Sequence, residues 1–551
     1  MCLNRPVTRR RPFCVRAVAL ASIVSAVTAC SGGASSSPGA APHFVDDAPT
    51  SGIDHTYSGG SDFFVGGGVG TFDCNGDGLP DLFLAGGSAP AALYRNVSAV
   101  GGALRFEQTA SPVTDLTMVT GAYPLDVDGD GITDLMVLRR GGNVLLRGLG
   151  DCRFEPANER LGLDGGTAWT TAFSATWEAG NALPTMAFGN YLVPDTYDCD
   201  TSRLVRPAAD GTKYATPIVL APGYCTLSML FSDWRHAGRT DLRVTNDRHY
   251  YIDGGDQLWK LTPGAAPSQY TEADGWRRLQ VWGMGIASQD LDGDGVPEVF
   301  LTSQGDNKLQ TLDPGATTPA FHDIALGRGV TAQRPYTGGD VLPSTAWHPE
   351  FGDVNNDGFA DLFVTKGNVD GEIDSAAKDP SDLFVAKADG TFVEAAQAAG
   401  IVRFEKARGA AVVDLNLDGQ LDLVVVDRNT NVQLWRNVGT GDAERAKPMG
   451  HWLSVALKQP APNVDAIGAW LDVKIGSRTI TREITIGGGH VSGELGWLHT
   501  GLGTATSTQV RVEWPGGEVG PWMSVNADQF VTITRGATAP AVWTPPSRPA
   551  S

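Results

Sequence analysis

Five short loops of this chain place oxygen-bearing side chains at a spacing that suits a hard cation. In residues 126–134, carboxylates occupy loop positions one, three, five and nine, and a glycine occupies position six. Ca²⁺ takes six to eight oxygen ligands, and these side chains together with the backbone carbonyl at position seven can supply most of them. The glycine permits the sharp turn that such a loop requires.

The same pattern occurs at residues 73–81, 290–298, 353–361 and 414–422. An EF-hand is excluded, because that motif takes its last carboxylate from position twelve and lies between helices, whereas each of these loops leads into an apolar strand. We therefore predict about five Ca²⁺ ions, one in each loop. The predicted ligands, at positions one, three, five, seven and nine, are Asp73, Asn75, Asp77, Leu79, Asp81, Asp126, Asp128, Asp130, Ile132, Asp134, Asp290, Asp292, Asp294, Val296, Glu298, Asp353, Asn355, Asp357, Phe359, Asp361, Asp414, Asn416, Asp418, Gln420 and Asp422.

The spacing of the loops indicates a repeat architecture. The loops begin at residues 73, 126, 290, 353 and 414, and two degraded copies, beginning at Trp177 and Asp233, fit the long gap. Seven units of roughly 50–60 residues with several short strands each are typical of β-propeller blades. A phrase of Phe, an acid and Gly-Ile, Gly-Leu or Gly-Val begins near residues 43, 153, 320 and 391. The first copy precedes every loop, so we expect it to supply the outer strand of the last blade and close the ring.

These loops resemble FG-GAP (VCBS-type) repeats, as in integrin alpha-subunit propellers. The resemblance covers about residues 43–440. It implies an all-β fold, with a seven-bladed β-propeller over residues 43–445 and Ca²⁺ in loops that join strands of a blade.

The amino terminus has the features of an export signal. Residues 1–29 combine several arginines with an apolar run from Ala17 to Val27, which is too short to span a bilayer. The sequence Val27-Thr28-Ala29-Cys30 resembles a bacterial lipobox. We expect cleavage before Cys30, lipidation of its thiol, and a flexible tether over residues 30–42. The alternative is ordinary cleavage and secretion, with Cys30 incidental.

Four cysteines remain once the signal and the lipidation candidate Cys30 are set aside: Cys74, Cys152, Cys199 and Cys225. An exported protein can keep disulfides. The sequence favours Cys199–Cys225, with Cys74–Cys152 second, and free buried thiols are the alternative. In the degraded loop at Asp233, Arg235 stands at position three. Its guanidinium could replace the cation there, or it could point into solvent.

Beyond residue 447 the acidic loops stop and alternating strands separated by glycine-rich turns begin. This pattern predicts a small antiparallel β-sandwich over residues 448–536. The phrases NVDAIGAWLDVKIG, REITIGGGHVSGE, HTGLG and VRVEWPGGEV resemble the ASPIC/UnbV domain. The combination resembles the cartilage acidic protein family and its bacterial relatives. This sequence departs from the usual pattern at His490, where Tyr is usual, and at Gly493, where Gln is common.

His490, Glu494 and His499 could in principle bind a transition metal, but their spacing matches no known zinc motif, so surface or packing roles are favoured. Residues 537–551, rich in Ala, Pro, Thr and Ser, predict a disordered tail.

The net charge of −20 argues against nucleic acid as a partner. We therefore expect a calcium-stabilised, lipid-anchored binding protein on the periplasmic or cell-surface side of the envelope. It would present loops on one propeller face to a protein or glycan, and it would contact the membrane only through its anchor. A propeller enzyme of the hydrolase or lyase type, or an assembly role for the C-terminal domain, is the alternative.

Overall fold

The computed structural model describes residues 39–178, 180–247, 254–279, 281–332, 344–369, 376 and 378–546. The predicted signal at 1–29, the lipidation site Cys30 and most of the tether at 30–42 lie outside the described residues. Regular structure in the described part is almost entirely β, and no helix within it is long and apolar enough to cross a membrane.

The described residues of the propeller form seven four-stranded antiparallel sheets. One strand, β1 (His43–Asp46), precedes them all, and six sheets follow in chain order, each made of four consecutive strands. These are β2 (Val69–Phe72), β3 (Asp81–Leu84), β4 (Ala92–Asn96) and β5 (Phe106–Gln108); β6 (Val119–Leu125), β7 (Asp134–Arg139), β8 (Val144–Gly148) and β9 (Phe154–Pro156); β10 (Thr170–Thr176), β11 (Thr185–Asn190), β12 (Ser202–Val205) and β13 (Ile218–Leu220); β14 (Thr226–Ser232), β15 (Asp241–Asn246), β16 (Gln257–Lys260) and β17 (Ser268–Gln269); β18 (Gly283–Gln289), β19 (Glu298–Ser303), β20 (Lys308–Leu312) and β21 (Phe321–Asp323); and β22 (Ala346–Gly352), β23 (Asp361–Lys366), β24 (Asp382–Ala386) and β25 (Phe392–Glu394).

The seventh sheet closes the ring with both ends of the propeller sequence. It contains β26 (Ala407–Val413), β27 (Asp422–Asp427) and β28 (Gln433–Gly439), and β1 is its outer strand, with Asp46 opposite Trp435. The first strand of every sheet contacts the first strand of the sheets before and after it, and β26 contacts β2. The prediction that the segment beginning near residue 43 supplies the outer strand of the last sheet and closes the ring is thus confirmed.

The Phe-acid-Gly phrases form the outer strand of a sheet and one helical turn. The turns are α1 (Asn158–Leu161), α2 (Ala325–Arg328) and α3 (Ala396–Ala399). Each ends at a glycine in the left-handed region, for example Gly400 with a φ of +84°, which side chains rarely adopt. The apolar side chains of the strands pack between neighbouring sheets. The hydrophobic core of the propeller therefore lies between adjacent sheets around the ring.

The C-terminal domain contains two sheets packed face to face. Their strands are β29 (His451–Lys458), β30 (Trp470–Ile475), β31 (Arg478–Glu483), β33 (Leu498–Gly503), β34 (Ser507–Trp514), β35 (Glu518–Val519), β36 (Met523–Asn526), β37 (Gln529–Thr534) and β38 (Ala541–Trp543). The short strand β32 (Gly493–Glu494) pairs instead with β2 of the propeller, in parallel, as a fifth strand of that sheet. The prediction of an all-β propeller followed by a small β domain is confirmed. The domain is not purely antiparallel, however, because β29 and β37 pair in parallel.

Part of the expected disordered tail at 537–551 is ordered, because residues 541–543 form strand β38. Strand β38 pairs with β37, and Trp543 packs against Trp497 and Phe530 with ring centroids 5.0 and 5.6 Å apart. The half-buried side chain of Trp543 supplies an apolar contact that the surrounding Ala, Pro and Thr residues cannot make.

Candidate calcium loops and an interdomain site

Each of the five acidic loops joins the first and second strands of a sheet, and its first carboxylate holds the turn together. In the loop at 290–298, Asp290 Oδ2 accepts the backbone N–H of Gly295 at 3.0 Å. The same bond from position six to position one recurs in the other four loops. Its N···O distances are 2.7 Å for Gly78–Asp73, 2.7 Å for Gly131–Asp126, 2.7 Å for Gly358–Asp353 and 2.8 Å for Gly419–Asp414.

The carboxylate at position nine connects the loop to the third strand of its sheet. Asp361 accepts the N–H of Val354, at position two, at 2.9 Å, and the N–H of Ala386 at 2.8 Å. Asp81, Asp134 and Asp422 accept the equivalent pair of backbone bonds. Each oxygen therefore keeps one lone pair for a further partner.

The predicted ligand side chains converge. One oxygen from each of Asp290, Asp292 and Asp294 lies within 4.8 Å of the others, and Asp126, Asp128 and Asp134 form a similar group. In the loop at 353–361, burial raises the pKa of Asp353 well above its usual value, and the charge of Asp357 raises it further. Several oxygen donors that face one another in this way have the donor chemistry of a Ca²⁺ site.

The loop at 126–134 differs, because arginines already neutralise part of it. Arg147 Nε donates to Asp128 at 2.8 Å and also pairs with Asp130, and Arg160 binds Asp128 at 2.8 Å. At the degraded loop beginning at Asp233, replacement of the cation by Arg235, one of the two alternatives for this residue, is not observed. Arg235 donates to the carbonyl of Thr317 at 3.0 Å instead.

It is Arg239 that pairs with a degraded-loop carboxylate, Asp241, at 3.0 Å. Arg239 stands next to the left-handed Gly238, and this turn directs it back toward Asp241, whereas Arg235 lies over the ring of Trp234.

Both disulfides connect one sheet to the next. Cys74, inside the first acidic loop, is bonded to Cys152 in the following sheet, and Cys199 is bonded to Cys225 at the start of β14. Cys74, Asp81 and Cys152 also lie together, but the two sulfur atoms are oxidised to each other, so this group is not a thiolate metal site.

The C-terminal domain covers the face of the propeller that carries the acidic loops. A Cβ added at Gly78 would lie 2.3 Å from Trp543, and one added at Gly419 would lie 1.9 Å from Trp452. His499 Nε2 lies 2.7 Å from Asn356 Oδ1. Further contacts join the other loops to this domain: Gly129 with Pro462, Trp470 with His236, Thr479 with Gly293, Ile475 with Gly358, and Glu483 with Ser232 and Asp233.

A segment of the C-terminal domain, residues 486–494, enters the central channel; we call it the axial segment. It contacts the first strand of all seven sheets. The contacts include Ile486 with Ala175, Gly488 with Met229, Gly489 with Ile286, His490 with His348, Ser492 with Ala122 and Gly409, and Gly493 with Gly70.

The glycines of the axial segment are required by close contact. A Cβ at Gly489 would lie 2.6 Å from the His348 ring, and one at Gly493 would lie 2.6 Å from Tyr123. Both the fit of the segment and its backbone conformation thus depend on the absence of side chains.

His490, Glu494 and His499 are not brought together as one metal site. His490 is fully buried in the channel, where Nδ1 lies 3.1 Å from the carbonyl of Leu227 and Nε2 accepts the N–H of Gly66 at 3.1 Å. His499 lies against the acidic loop at 353–361. The favoured packing roles therefore apply to both histidines.

A group of titratable residues that the sequence did not reveal forms between the two domains. His348 Nε2 lies 3.0 Å from Glu350 Oε2, and His348 Nδ1 accepts the backbone N–H of His490 at 3.2 Å. Since Nδ1 accepts, Nε2 carries the proton and donates it to Glu350. Glu350 is also hydrogen-bonded to Glu494. Side chains alternate between the two faces of a strand, so His348 and Glu350 lie on the same face of β22. No sequence signal near either residue predicts their pairing with Glu494.

Burial sets the protonation states in this group. It lowers the pKa of His348 to about 4, so the ring is neutral. It raises the pKa of Glu350 to about 7, and it raises that of Glu494 well above its usual value, with the Glu350 charge adding to the effect. The shared proton therefore lies on Glu494, and Glu350 is the group that ionises first.

With the sheets, loops and axial segment described, the class of protein follows. The sequence matches the FG-GAP-like repeat family over residues 73–137 and 290–364, and the ASPIC and UnbV family over residues 459–540. The chain therefore contains FG-GAP-like repeats and a C-terminal ASPIC and UnbV domain, as the resemblance implied.

Among individual proteins, the chain is homologous to cartilage acidic protein 1. It is 27% identical to the human protein over 201 residues, which are 34% of this chain and 27% of that protein. It is 26% identical to the mouse protein over 204 residues, 34% of this chain and 28% of that protein. The match thus spans little more than a quarter of these relatives.

Similar solved structures include BBS1N in complex with ARL6DN, with 12% identity and a TM-score of 0.43, covering 74% of this chain and all of that chain. The Dos1 propeller has 9% identity and a TM-score of 0.32, covering 69% of this chain and 97% of that chain. Likenesses this distant carry no argument about function.

Proposed function

We propose that this chain is a calcium-stabilised binding protein of the cell envelope, which uses the propeller face opposite the C-terminal domain to bind a protein or glycan partner. The observation that carries the proposal is the convergence of carboxylates in the acidic loops. Like charges held together under a covering domain repel one another unless a cation binds between them.

The residues that would hold the ions are those at loop positions one, three, five, seven and nine. Ca²⁺ would supply only charge compensation and cross-linking of the loop, since the proposal involves no chemical step. The loops at 73, 290, 353 and 414 fit the ion best. The loop at 126 would bind it more weakly, because Arg147 and Arg160 compete for Asp128.

The covered face determines where a partner can bind. The C-terminal domain lies over the acidic loops, so the loops on the opposite side of the ring remain for binding. Tyr197 is 86% exposed there, in the β11–β12 connection that the Cys199–Cys225 disulfide holds. An exposed aromatic side chain on a restrained loop is a favourable contact for either a protein or a sugar ring.

The position of the axial segment favours a binding function over the two alternatives, a propeller enzyme and an assembly role for the C-terminal domain. A hydrolase or lyase whose substrate enters the central channel needs that channel open, and residues 486–494 occupy it. An independent assembly role for the C-terminal domain is also less favoured, because that domain contacts every sheet of the ring.

Export and anchoring complete the proposal. We infer cleavage before Cys30 and attachment of lipid to its thiol, with the membrane contacted through that anchor alone. Two disulfides are in keeping with an oxidising compartment. Incorporation of a labelled fatty acid into the wild type and not into Cys30→Ser would support this; label in neither protein would show that the anchor is wrong.

The central test is calcium dependence of folding. Calorimetry of the mature protein should show a lower melting temperature after chelation, restored by Ca²⁺ but not by the same concentration of Mg²⁺, because binding to the folded form alone stabilises it. If the calcium-free and calcium-loaded proteins melt together, the structural-ion proposal is wrong.

The partner-binding face is tested with calcium-loaded protein on a glycan array and against envelope proteins. Tyr197→Ala should weaken the binding seen, whereas Val519→Ala, at an exposed site on the C-terminal domain, should not. Equal loss in both variants would contradict this assignment of the face.

A further inference from the structure

A cavity of about 550 Å³ lies between the acidic-loop face and the C-terminal domain. Both parts contribute to its wall: Thr71 and Glu350 from the propeller, Arg482 and Glu494 from the C-terminal domain. Gly496 also lines it and is exposed to solvent. Small-molecule sites typically have volumes of about 300–1,000 Å³ and a few convergent polar groups on a mainly apolar wall.

One side of the cavity carries a carboxyl group, that of Glu350, whose position is fixed by hydrogen bonds. Glu350 accepts hydrogen bonds from His348, from Glu494 and from the backbone of Val412. These three donors orient the Glu350 carboxylate and leave it one-fifth exposed, toward the cavity. A carboxylate held in this way is preorganised to accept a further donor from a ligand.

A positive charge faces the same space. Arg482 acts electrostatically on both Glu350 and Glu494. Within the part of the chain that the structure describes, its guanidinium has no hydrogen bond or ion pair. A guanidinium with free donors matches the geometry of a ligand carboxylate.

A second polar group lacks a partner. The hydroxyl of Thr71, a residue only 1% exposed and opposite Glu494 in the strand register, has no hydrogen-bond partner among the described residues. Buried polar atoms are normally satisfied, so an orphan hydroxyl beside a cavity indicates a missing partner.

We propose that this cavity binds a small zwitterion of the amino-acid class, with its carboxylate on Arg482 and its ammonium group on Glu350. A ligand with only one charge would leave either the guanidinium or the carboxylate without compensation in a largely enclosed space. Leu230, Ile286 and Phe351 contribute apolar surface to the same wall, which elsewhere is polar, so the ligand side chain that we propose is an apolar one.

The site is composite and independent of the partner-binding face. The propeller supplies the acceptor and the C-terminal domain supplies the cation, so the cavity is complete only when the two are docked.

The test uses the calcium-loaded mature protein with L-leucine, L-isoleucine, L-valine, L-methionine and L-phenylalanine as separate probes, followed by calorimetric titration and thermal melting. At least one should bind at millimolar concentration or below. For L-leucine, the matched analogues are 4-methylpentanoate, which lacks the ammonium group, and 3-methylbutylamine, which lacks the carboxylate. Each analogue should bind at least about tenfold more weakly than the amino acid.

Two variants separate a binding role from a structural one. Arg482→Gln should weaken amino-acid binding at least about tenfold, whereas Arg535→Gln, an arginine of the same domain outside the cavity, should leave it unchanged. Glu350→Gln should reverse the charge preference, so that 4-methylpentanoate gains affinity relative to leucine.

The proposal is overturned if no amino acid binds, if the analogues bind as well as the amino acid, or if Glu350→Gln leaves the preference unaltered. The reversed preference keeps the test decisive even if Arg482→Gln fails to fold.

Discussion

The indole of Trp452 lies directly against Gly419, the position-six glycine of the last acidic loop. A Cβ at Gly419 would lie 1.9 Å from Trp452 Cε2. The loop that is expected to hold an ion is thus also a contact surface for the C-terminal domain, and the two roles are physically coupled.

Substitution of Gly419 by alanine should therefore weaken the contact between this loop and the C-terminal domain. Gly131 is the matched control, because it is also a position-six glycine, has a similar φ of +84° and has no atom within 4 Å of an added Cβ. Gly131→Ala should cost about 1–2 kcal/mol of unfolding free energy from the left-handed backbone alone. Gly419→Ala should cost about 1–3 kcal/mol more, because Trp452 must move.

Denaturant unfolding at saturating calcium measures both variants. If the two variants lose the same unfolding free energy, the Trp452 indole moves away from residue 419 at no cost.

Removal of calcium should loosen the C-terminal domain before the ring unfolds. The acidic loops supply several of its contacts with the propeller, and unneutralised carboxylates would disorder those loops. Limited proteolysis should then cut the connection between β28 and β29 faster in chelator than in Ca²⁺, at a temperature below the melting transition. An unchanged cleavage rate would show that docking does not depend on the ion.

Asp361→Asn should remove one ion. Asp361 is fully buried and accepts backbone bonds from Val354 and Ala386, so the amide loses both a charge and one acceptor. Asp389→Asn is the control, since Asp389 lies in an exposed turn and bonds only Thr391. Metal analysis of gel-filtered protein should find one calcium fewer in Asp361→Asn alone. The same calcium content in both would exclude Asp361 as a ligand.

The two disulfides should differ in their contribution to stability. Removing a cross-link restores entropy to the unfolded chain, and more for a longer loop. Cys74 and Cys152 are 78 residues apart, and Cys199 and Cys225 are 26 apart. Replacing the first pair by serine should cost about 1 kcal/mol more than replacing the second, measured by denaturant unfolding. The opposite order would mean that folded-state packing at these cysteines dominates.

Glu483 should make stability depend on pH. Burial raises its pKa to about 8, whereas in the unfolded chain it is about 4.3. Between these values the folded protein binds the extra proton, so its stability falls as the pH rises, by up to about 1.4 kcal/mol per pH unit. Glu483→Gln should flatten the profile between pH 5 and pH 8. Parallel profiles for the two proteins would contradict the raised pKa.

The ring could be predicted because its signals are local and repeated. Each acidic loop lies within nine residues, and the phrase of Phe, an acid and glycine marks four of the outer strands. The change near residue 448 from acidic loops to alternating strands marks the second domain. The docking of that domain could not be predicted, because its contacts join residues far apart, such as Asn356 with His499 or Glu350 with Glu494. Glycines in residues 486–494 were visible in the sequence, but only the structure shows that Tyr123 and His348 require them.

The axial segment has a consequence for the order of synthesis. The ribosome makes the ring first and residues 486–494 only after it, and the ring itself closes only when β1 meets β28. A chain that stops early therefore has a hollow axis and an uncovered layer of acidic loops. Only a chain that is translated beyond residue 494 can fill its central channel, so a truncated product differs from the whole protein at the centre of the ring.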